Sequence, residues 1–335
     1  MTENYLRVLK ADPTQWLFEA DNPSVRYFAL TELLGEPQSR PSVKKSKRDI
    51  MRVGAVPLIL FKQQPEGYWE SAEHFYVGTK YKGTVWQLIV LAELGVDGED
   101  PRIQKACEFV LDWSQDQESG GFAYRGSAGG GLRAGVIPCL TGSMVWSLIR
   151  FGYLDNIRVR KAIEWMMTYQ RTDDADKRAP SAWPYERFEQ CWGKHSCHMG
   201  VVRTLKALAE VPPHRRSQSM KAVIELGAEY LLKHHLHKRS HDLSQVAKPA
   251  WLKFGFPLMW NTDALDMLGL ILKLGFRDER LRDAVDLVIS KQDGNGMWSL
   301  ETTFNGRFQV NIERKGRPSK WVTLNALRAL KGFLD

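Results

Sequence analysis

Apolar residues recur along this chain at helical spacing, in two kinds of run that alternate. The first kind is amphipathic: D-P-R-I-Q-K-A-C-E-F-V-L-D-W from Asp100, D-N-I-R-V-R-K-A-I-E-W-M-M from Asp155 and D-E-R-L-R-D-A-V-D-L-V-I from Asp278. Each opens on an acidic or polar residue able to accept the free amides of a first helical turn, and each carries basic residues on one face. The second kind is more apolar all round and starts near Tyr81, Cys139, Cys191, Asn261 and Trp321. Gly95, Gly152 and Gly275 stand where helices would stop. A helix apolar on one stripe belongs at the surface and one apolar on most sides belongs inside. The pattern therefore predicts an outer and an inner set of helices. Residues 22–35 (N-P-S-V-R-Y-F-A-L-T-E-L-L-G) read as another inner helix, with 5–18 before it, for about six helix pairs.

The tryptophans mark a repeat. Twelve are present, and several fall where an apolar run ends, as in F-K-Q-Q-P-E-G-Y-W (61–69) and S-K-Q-D-G-N-G-M-W (290–298). Gln64, Gln117 and Gln170 are separated by 53 residues each time (117 − 64 and 170 − 117), a period expected of stacked helical units. Trp86 in T-V-W-Q-L and Trp146 in M-V-W-S-L read as equivalent positions pointing inwards. Residues 238–260 break the period with W-L-K-F-G-F-P-L-M-W and read as an insertion near the ring mouth. On this reading 1–335 is one all-α unit, an α/α toroid, with 1–50 supplying its first helix pair. A HEAT-type solenoid is the competing fold.

Charge changes the picture only a little. The formal charge is +8 with a pI near 9.2, but the basic residues gather in 40–52, 203–221 and 233–253 without a recognition helix or stacking platform. Solvated helix faces explain them, a nucleic-acid partner is not expected, and the net field suits an anionic small molecule. Four cysteines in 335 residues make no disulfide framework. With no apolar signal core and no membrane-length apolar run, a cytoplasmic protein without a transmembrane segment is expected.

The elements Gln64/Gly67/Trp69 and Gln292/Gly296/Trp298 resemble those of the squalene-type terpenoid cyclases and protein prenyltransferase β-subunits, over most of 60–333. That resemblance implies an α/α toroid with a central substrate cavity at the N-terminal ends of the inner helices. It also implies an apolar, isoprenoid-like substrate and acid or Lewis-acid catalysis. The Asp-x-Asp-Asp-Thr-Ala acid motif of squalene-type cyclases is missing, and its nearest counterpart is N-T-D-A-L-D at 261–266. Asp263 is then the candidate general acid, its neutral form favoured by desolvation beside Trp260. D-D-A-D at 173–176 reads as a solvated turn. Tyr81, Trp86, Trp146, Trp192 and Trp321 are candidate substrate contacts, an aromatic wall able to stabilise a developing cation. Lys82, and Arg133 on the glycine-rich 127–135, could meet an anionic group.

One stretch invites different chemistry. Residues 191–200 read C-W-G-K-H-S-C-H-M-G, and a helix beginning at Cys191 would put 191, 195 and 198 on one face. Cys139 opens C-x-x-G, and Cys197 opens another with His198 beside it; in this detail the chain resembles the lanthipeptide cyclases, whose catalytic zinc is held by cysteine and histidine. C-H-M-G has one residue too many before its glycine. The resemblance makes Cys139, Cys197 and His198 candidate zinc ligands with an open fourth position; Cys191 or His195 stands as a residue supporting those ligands or as an alternative ligand, and His195 and His198 are candidate catalytic groups. Buried thiols without metal are the simpler alternative. Three functions follow: a cavity enzyme on an apolar substrate, a zinc enzyme activating a thiol or water, or a non-catalytic helical-repeat binding protein.

Overall fold

Asp100, Asn156 and Asp278 each accept the backbone amide two residues ahead at 2.9 Å, from Arg102, Arg158 and Arg280. These caps start the outer helices Pro101–Trp113 and Ile157–Tyr169, and the turn Glu279–Leu281 that leads into Arg282–Ser290. Asp155, the expected cap of the second, instead pairs at the surface with Arg160 and Arg215. The computed structural model describes residues 4–78, 80–193 and 195–335.

The more apolar runs form the inner set: Pro23–Phe28 continued by Ala29–Leu33, Thr84–Glu93, Pro138–Arg150, His198–Ala209, Ala264–Lys273 and Lys320–Leu334. Burial is the reason for their composition: every residue of Thr84–Glu93 except Glu93 is buried. The remaining outer layer is Pro41–Ile50, Ala55–Leu60 and Gln218–Lys233, with the short turns Asn4–Val8 and Thr14–Leu17. Strands among the described residues are confined to two hairpins, Gly126–Ser127 with Gly130–Gly131 and Lys238–Arg239 with Asp242–Val246. The fold is all-α, a ring of inner helices inside outer ones.

The expected helix from Cys191 is broken. A short turn, Glu189–Trp192, stops at Gly193, whose amide bonds to Glu189 O at 2.7 Å, and the inner helix begins only at His198. Residues 191, 195 and 198 therefore share no helix face.

The repeat is built from three contacts. Gln63 Nε2 donates to Arg102 O at 2.8 Å, Gln115 Nε2 to Arg158 O at 2.8 Å, and Gln292 Nε2 to Val8 O at 3.0 Å. Each glutamine thus ties one unit to the outer helix of the next, and the third closes the ring onto the N-terminal turn. The equivalent residues are Gln63 and Gln115, not Gln64 and Gln117; the Gln170 side chain instead donates to its neighbour Arg171 O and accepts from the Thr204 hydroxyl. Gly67, Gly120 and Gly296 follow with φ of +100°, +87° and +69°, each pressed against the next unit's backbone. Finally Thr84 Oγ1, Thr141 Oγ1 and Thr323 Oγ1 accept the amides of Trp69, Phe122 and Trp298 at 2.9–3.1 Å. Trp69 and Trp298 are fully buried, with Nε1 donating to Ile59 O and Val288 O.

The threonines give the true register. Trp86 lies two residues after Thr84 and Trp146 five after Thr141, so the two tryptophans are not equivalent, although both are buried.

Candidate functional site

Counting from those threonines, positions nine residues on are Glu93, Arg150 and Gly332, and positions five on include Trp146 and Arg328. These residues line one cavity of about 430 Å³ that takes side chains from all six inner helices. On single helices the lining repeats at i, i+4 and i+7, as Trp321, Asn325 and Arg328, or at i+3 and i+7, as Asp266, Gly269 and Lys273. Each helix thus turns one stripe to the ring axis.

Aromatic rings and charges alternate along the stripe, with cations seated on the ring faces. Phe28 meets Trp321 edge-on at 6.1 Å, and the guanidinium of Arg328 lies 4.9 Å from the Phe28 ring centroid. Lys206 Nζ sits 4.6 Å above the Trp146 ring, 2.7 Å from Glu93 Oε1 and 3.4 Å from Asp266 Oδ1. Glu210 accepts from Trp146 Nε1 at 3.0 Å and pairs with Lys273 at 2.7 Å and Arg150 at 3.5 Å. Arg328 pairs with Glu32 at 2.7 Å. Burial opposes ionisation of Asp266, but Lys206, Arg203 and the Thr262 hydroxyl outweigh it and hold this carboxyl below its usual range. Glu210 is likewise held low against burial by Lys273 and Arg150.

Lys206 is the central cation of this network, and Lys206→Met is expected to cost about 2–3 kcal/mol near pH 8. This is the cost of breaking a buried pair, discounted for partial exposure. In the native protein Asp266 is depressed, so its contribution is present above the usual carboxylate range and lost as pH falls through its native value. Without Lys206 that contribution goes, so the gap between the two proteins should narrow on acidification. Denaturant melts near pH 8 and in acid measure it; a pH-independent gap would remove the electrostatic explanation.

The cavity reaches solvent where Lys273 and Glu32 are about half exposed, at the C-terminal ends of the inner helices. This corrects the expectation of a mouth at the N-terminal ends. There, residues 254–260 and 301–308 pack across the ring. Phe256 stacks on Trp321 at 4.2 Å, Tyr81 meets Phe304 at 4.3 Å, and Trp260 Nε1 reaches Tyr81 Oη at 3.4 Å.

Of the residues singled out from sequence, Trp146 and Trp321 line the cavity. Trp86 is buried against Tyr76 and Tyr81 outside it. Tyr81 belongs to the packed N-terminal end. Lys82 is exposed, its carbonyl accepting from Gln87 and Gln309. Arg133 is exposed, paired with Glu118 and 4.3 Å from the Trp183 ring. Trp192 packs on Trp165 and Tyr185, beside a separate hollow of about 650 Å³ under 175–193. Asp263 caps Ala264–Lys273: one oxygen accepts Asp266 N at 2.8 Å and the other Gly255 N at 3.0 Å. Burial, then the charge of Asp266, push its carboxyl up to about 7 against those amides. It does not line the cavity; Asp266, one turn on, does.

Of the zinc candidates, His198 has its ring 4.4 Å from Trp251 and Nε2 3.2 Å from Met267 Sδ. His195 is exposed. Among the described residues no three histidine, cysteine or acidic side chains are grouped to hold a metal ion. The residues sequence reasoning missed are Glu93, Arg150, Lys206, Glu210, Asp266, Lys273 and Arg328. Their signal was present: charges inside otherwise apolar helices, at helical spacing from one another.

No family model matches the chain, and no curated protein matches it in sequence. Among solved structures it is similar to type II terpene cyclase MstE from Scytonema. For the apo enzyme the identity is 12%, with 82% of this chain and 95% of that chain covered and a TM-score of 0.29. For a variant in complex with geranylgeranyl dihydroxybenzoate the figures are 13%, 82% and 94%, with a TM-score of 0.30. Overlaps this loose carry no weight for the site. Among the described residues no helix is long and apolar enough to cross a membrane.

Proposed function

We propose that this chain is a cavity enzyme of the terpenoid-cyclase kind, taking an apolar, isoprenoid-like substrate into the ring and guiding a cationic rearrangement. The observation that carries the reading is the wall itself: Phe28, Trp146 and Trp321 share one cavity with the ionised carboxylate of Asp266. Ring faces stabilise positive charge without quenching it, and a carboxylate in a partly dry site does so more strongly. The apolar chain lies along Trp321, Leu265 and Leu270, and the charged rim at Glu210, Lys273 and Arg150 meets its polar end.

Asp266 offers a proton acceptor in the cavity, whereas Asp263 lies outside the lining with both oxygens accepting backbone amides. An isomerising cyclisation takes one proton and gives one up: the first comes from solvent at the open end, and the second goes to Asp266 and from there to solvent before the next turnover. The test is incubation of the purified protein with linear sesquiterpenoid and diterpenoid chains, reading cyclised isomers of unchanged mass across pH. Asp266→Asn should abolish product while leaving substrate retention. Turnover indifferent to Asp266→Asn would overturn the assignment. Among the described residues no ligand set is grouped for a zinc-dependent reaction, and a purely outer-surface binding role leaves the cavity unused.

A further inference from the structure

One stretch of the outer layer carries charge and apolar surface that the cavity does not use. Residues 40–62 hold seven lysines and arginines against a single acid, Asp49, a net +6 in a chain of formal charge +8. They form the outer helices Pro41–Ile50 and Ala55–Leu60. The first buries Val43, Ser46 and Ile50, and the second buries Val56, Ile59 and Leu60. The opposite face of each helix therefore looks away from the ring. Lys44, Lys45 and Arg48 are exposed on the first, with Arg52 exposed just past its end. Of these four, only Lys45 has a carboxylate partner among the described residues, Asp49 one turn on. Lys47 is the exception in the run, turned inwards to donate to Gly95 O at 2.7 Å.

The apolar part follows directly. Val53, Leu58 and Phe61 are exposed by 45%, 57% and 88%, and Leu58 and Phe61 stand three residues apart on one side of the second helix. Eight large apolar side chains are exposed among the described residues; these three fall within nine positions, and the other five stand singly. Single exposed apolar residues are ordinary, whereas a group of them rimmed by charge marks a binding surface.

We propose that this face docks the protein on the surface of an anionic lipid bilayer. Phe61 and Leu58 enter the boundary between headgroups and acyl chains, and Lys44, Lys45, Arg48 and Arg52 meet the lipid anions. Ala55–Leu60 has six residues, far too few to span a bilayer, so the segment lies on the membrane. A nucleic acid would use the cations but not the aliphatic groups: Val53 and Leu58 give a base no ring to stack on, while an acyl layer takes all three side chains. Docking asks nothing of the cavity and stands whether or not the ring performs a cyclisation.

Flotation of the full-length protein with vesicles tests it, using phosphatidylcholine alone and a three-to-one mixture with phosphatidylserine. Binding is expected on the mixture and at least tenfold weaker on phosphatidylcholine. Lys44→Gln with Arg48→Gln should weaken binding to the mixture about 30-fold at low salt. Phe61→Ala should weaken it roughly tenfold. In high salt the double variant should converge with the parent, while Phe61→Ala stays weaker, because salt screens the charges and leaves the ring's burial untouched. Ile157→Ala, at an exposed apolar residue of another outer helix, should change nothing. All the altered side chains are exposed, so melting temperatures should stay at the parent's value. Equal binding to the two vesicle types would overturn the proposal, as would binding indifferent to Phe61→Ala. Tighter retention on RNA than on the mixed vesicles would assign the cations to nucleic acid instead.

Discussion

Gly296→Ala is expected to cost roughly 2–5 kcal/mol and to loosen the N-terminal turn from the rest of the ring. The estimate adds the cost of a left-handed backbone for alanine, about 1–2 kcal/mol, to that of overpacking a tight contact, about 1–3 kcal/mol. Gly296 has φ +69°, and a Cβ there would lie 1.9 Å from Ala11 O. It sits where the last unit meets the first: Gln292 Nε2 donates to Val8 O, Gln292 Oε1 accepts Lys10 N at 3.0 Å, and Lys10 Nζ donates to Gln292 O at 2.8 Å. Gly306→Ala supplies the comparison, with φ +76° and open space at the added Cβ, so only the backbone term remains. Chemical denaturation reads the stability difference, and hydrogen exchange at the Lys10 amide reads the closure. Equal costs at 296 and 306 would mean that the contact with Ala11 is not what holds the ring shut.

The division into inner and outer helices was legible because it depends on burial, which dictates composition directly. Thr84–Glu93 and Ala264–Lys273 are apolar on nearly every side since both of their faces are packed. The caps were legible to within a residue, because Asp155 and Asn156 offer similar chemistry and only the backbone chooses. The register of the repeat slipped at Gln64 and Gln117 because pairs such as Gln63-Gln64 and Gln115/Gln117 are indistinguishable by letter; the turn geometry decides which one reaches Arg102 or Arg158. The open end of the cavity was not legible at all. It depends on Phe256, Trp260 and Phe304 folding back over the N-terminal ends, which are contacts between segments far apart in sequence. Asp263 shows the same limit: an acidic residue before an apolar helix reads equally as acid or cap. Only the amides of Gly255 and Asp266 make it a cap, while its neighbour one turn on reaches the cavity.

The cavity can be filled without disturbing the fold, because Gly269 is a lining residue with nothing within 4 Å of an added Cβ. It lies mid-helix in Ala264–Lys273, where glycine costs about 1 kcal/mol relative to a strong helix former. Gly269→Ala should therefore raise stability by roughly 0.5–1 kcal/mol and leave the cavity usable. Gly269→Leu should also fold at least as well as the parent, while its branched side chain enters the space between Trp146, Asp266 and Trp321. A substrate displaced by even about an ångström from its productive position loses turnover by about 10²-fold, and exclusion from the cavity loses it entirely. The expected result is a pair of variants with raised or unchanged melting temperature, one active and one inactive. Such a split cannot come from misfolding, so it reports on the cavity alone. If Gly269→Leu keeps full activity in a folded protein, the chemistry takes place elsewhere and the aromatic wall is only core.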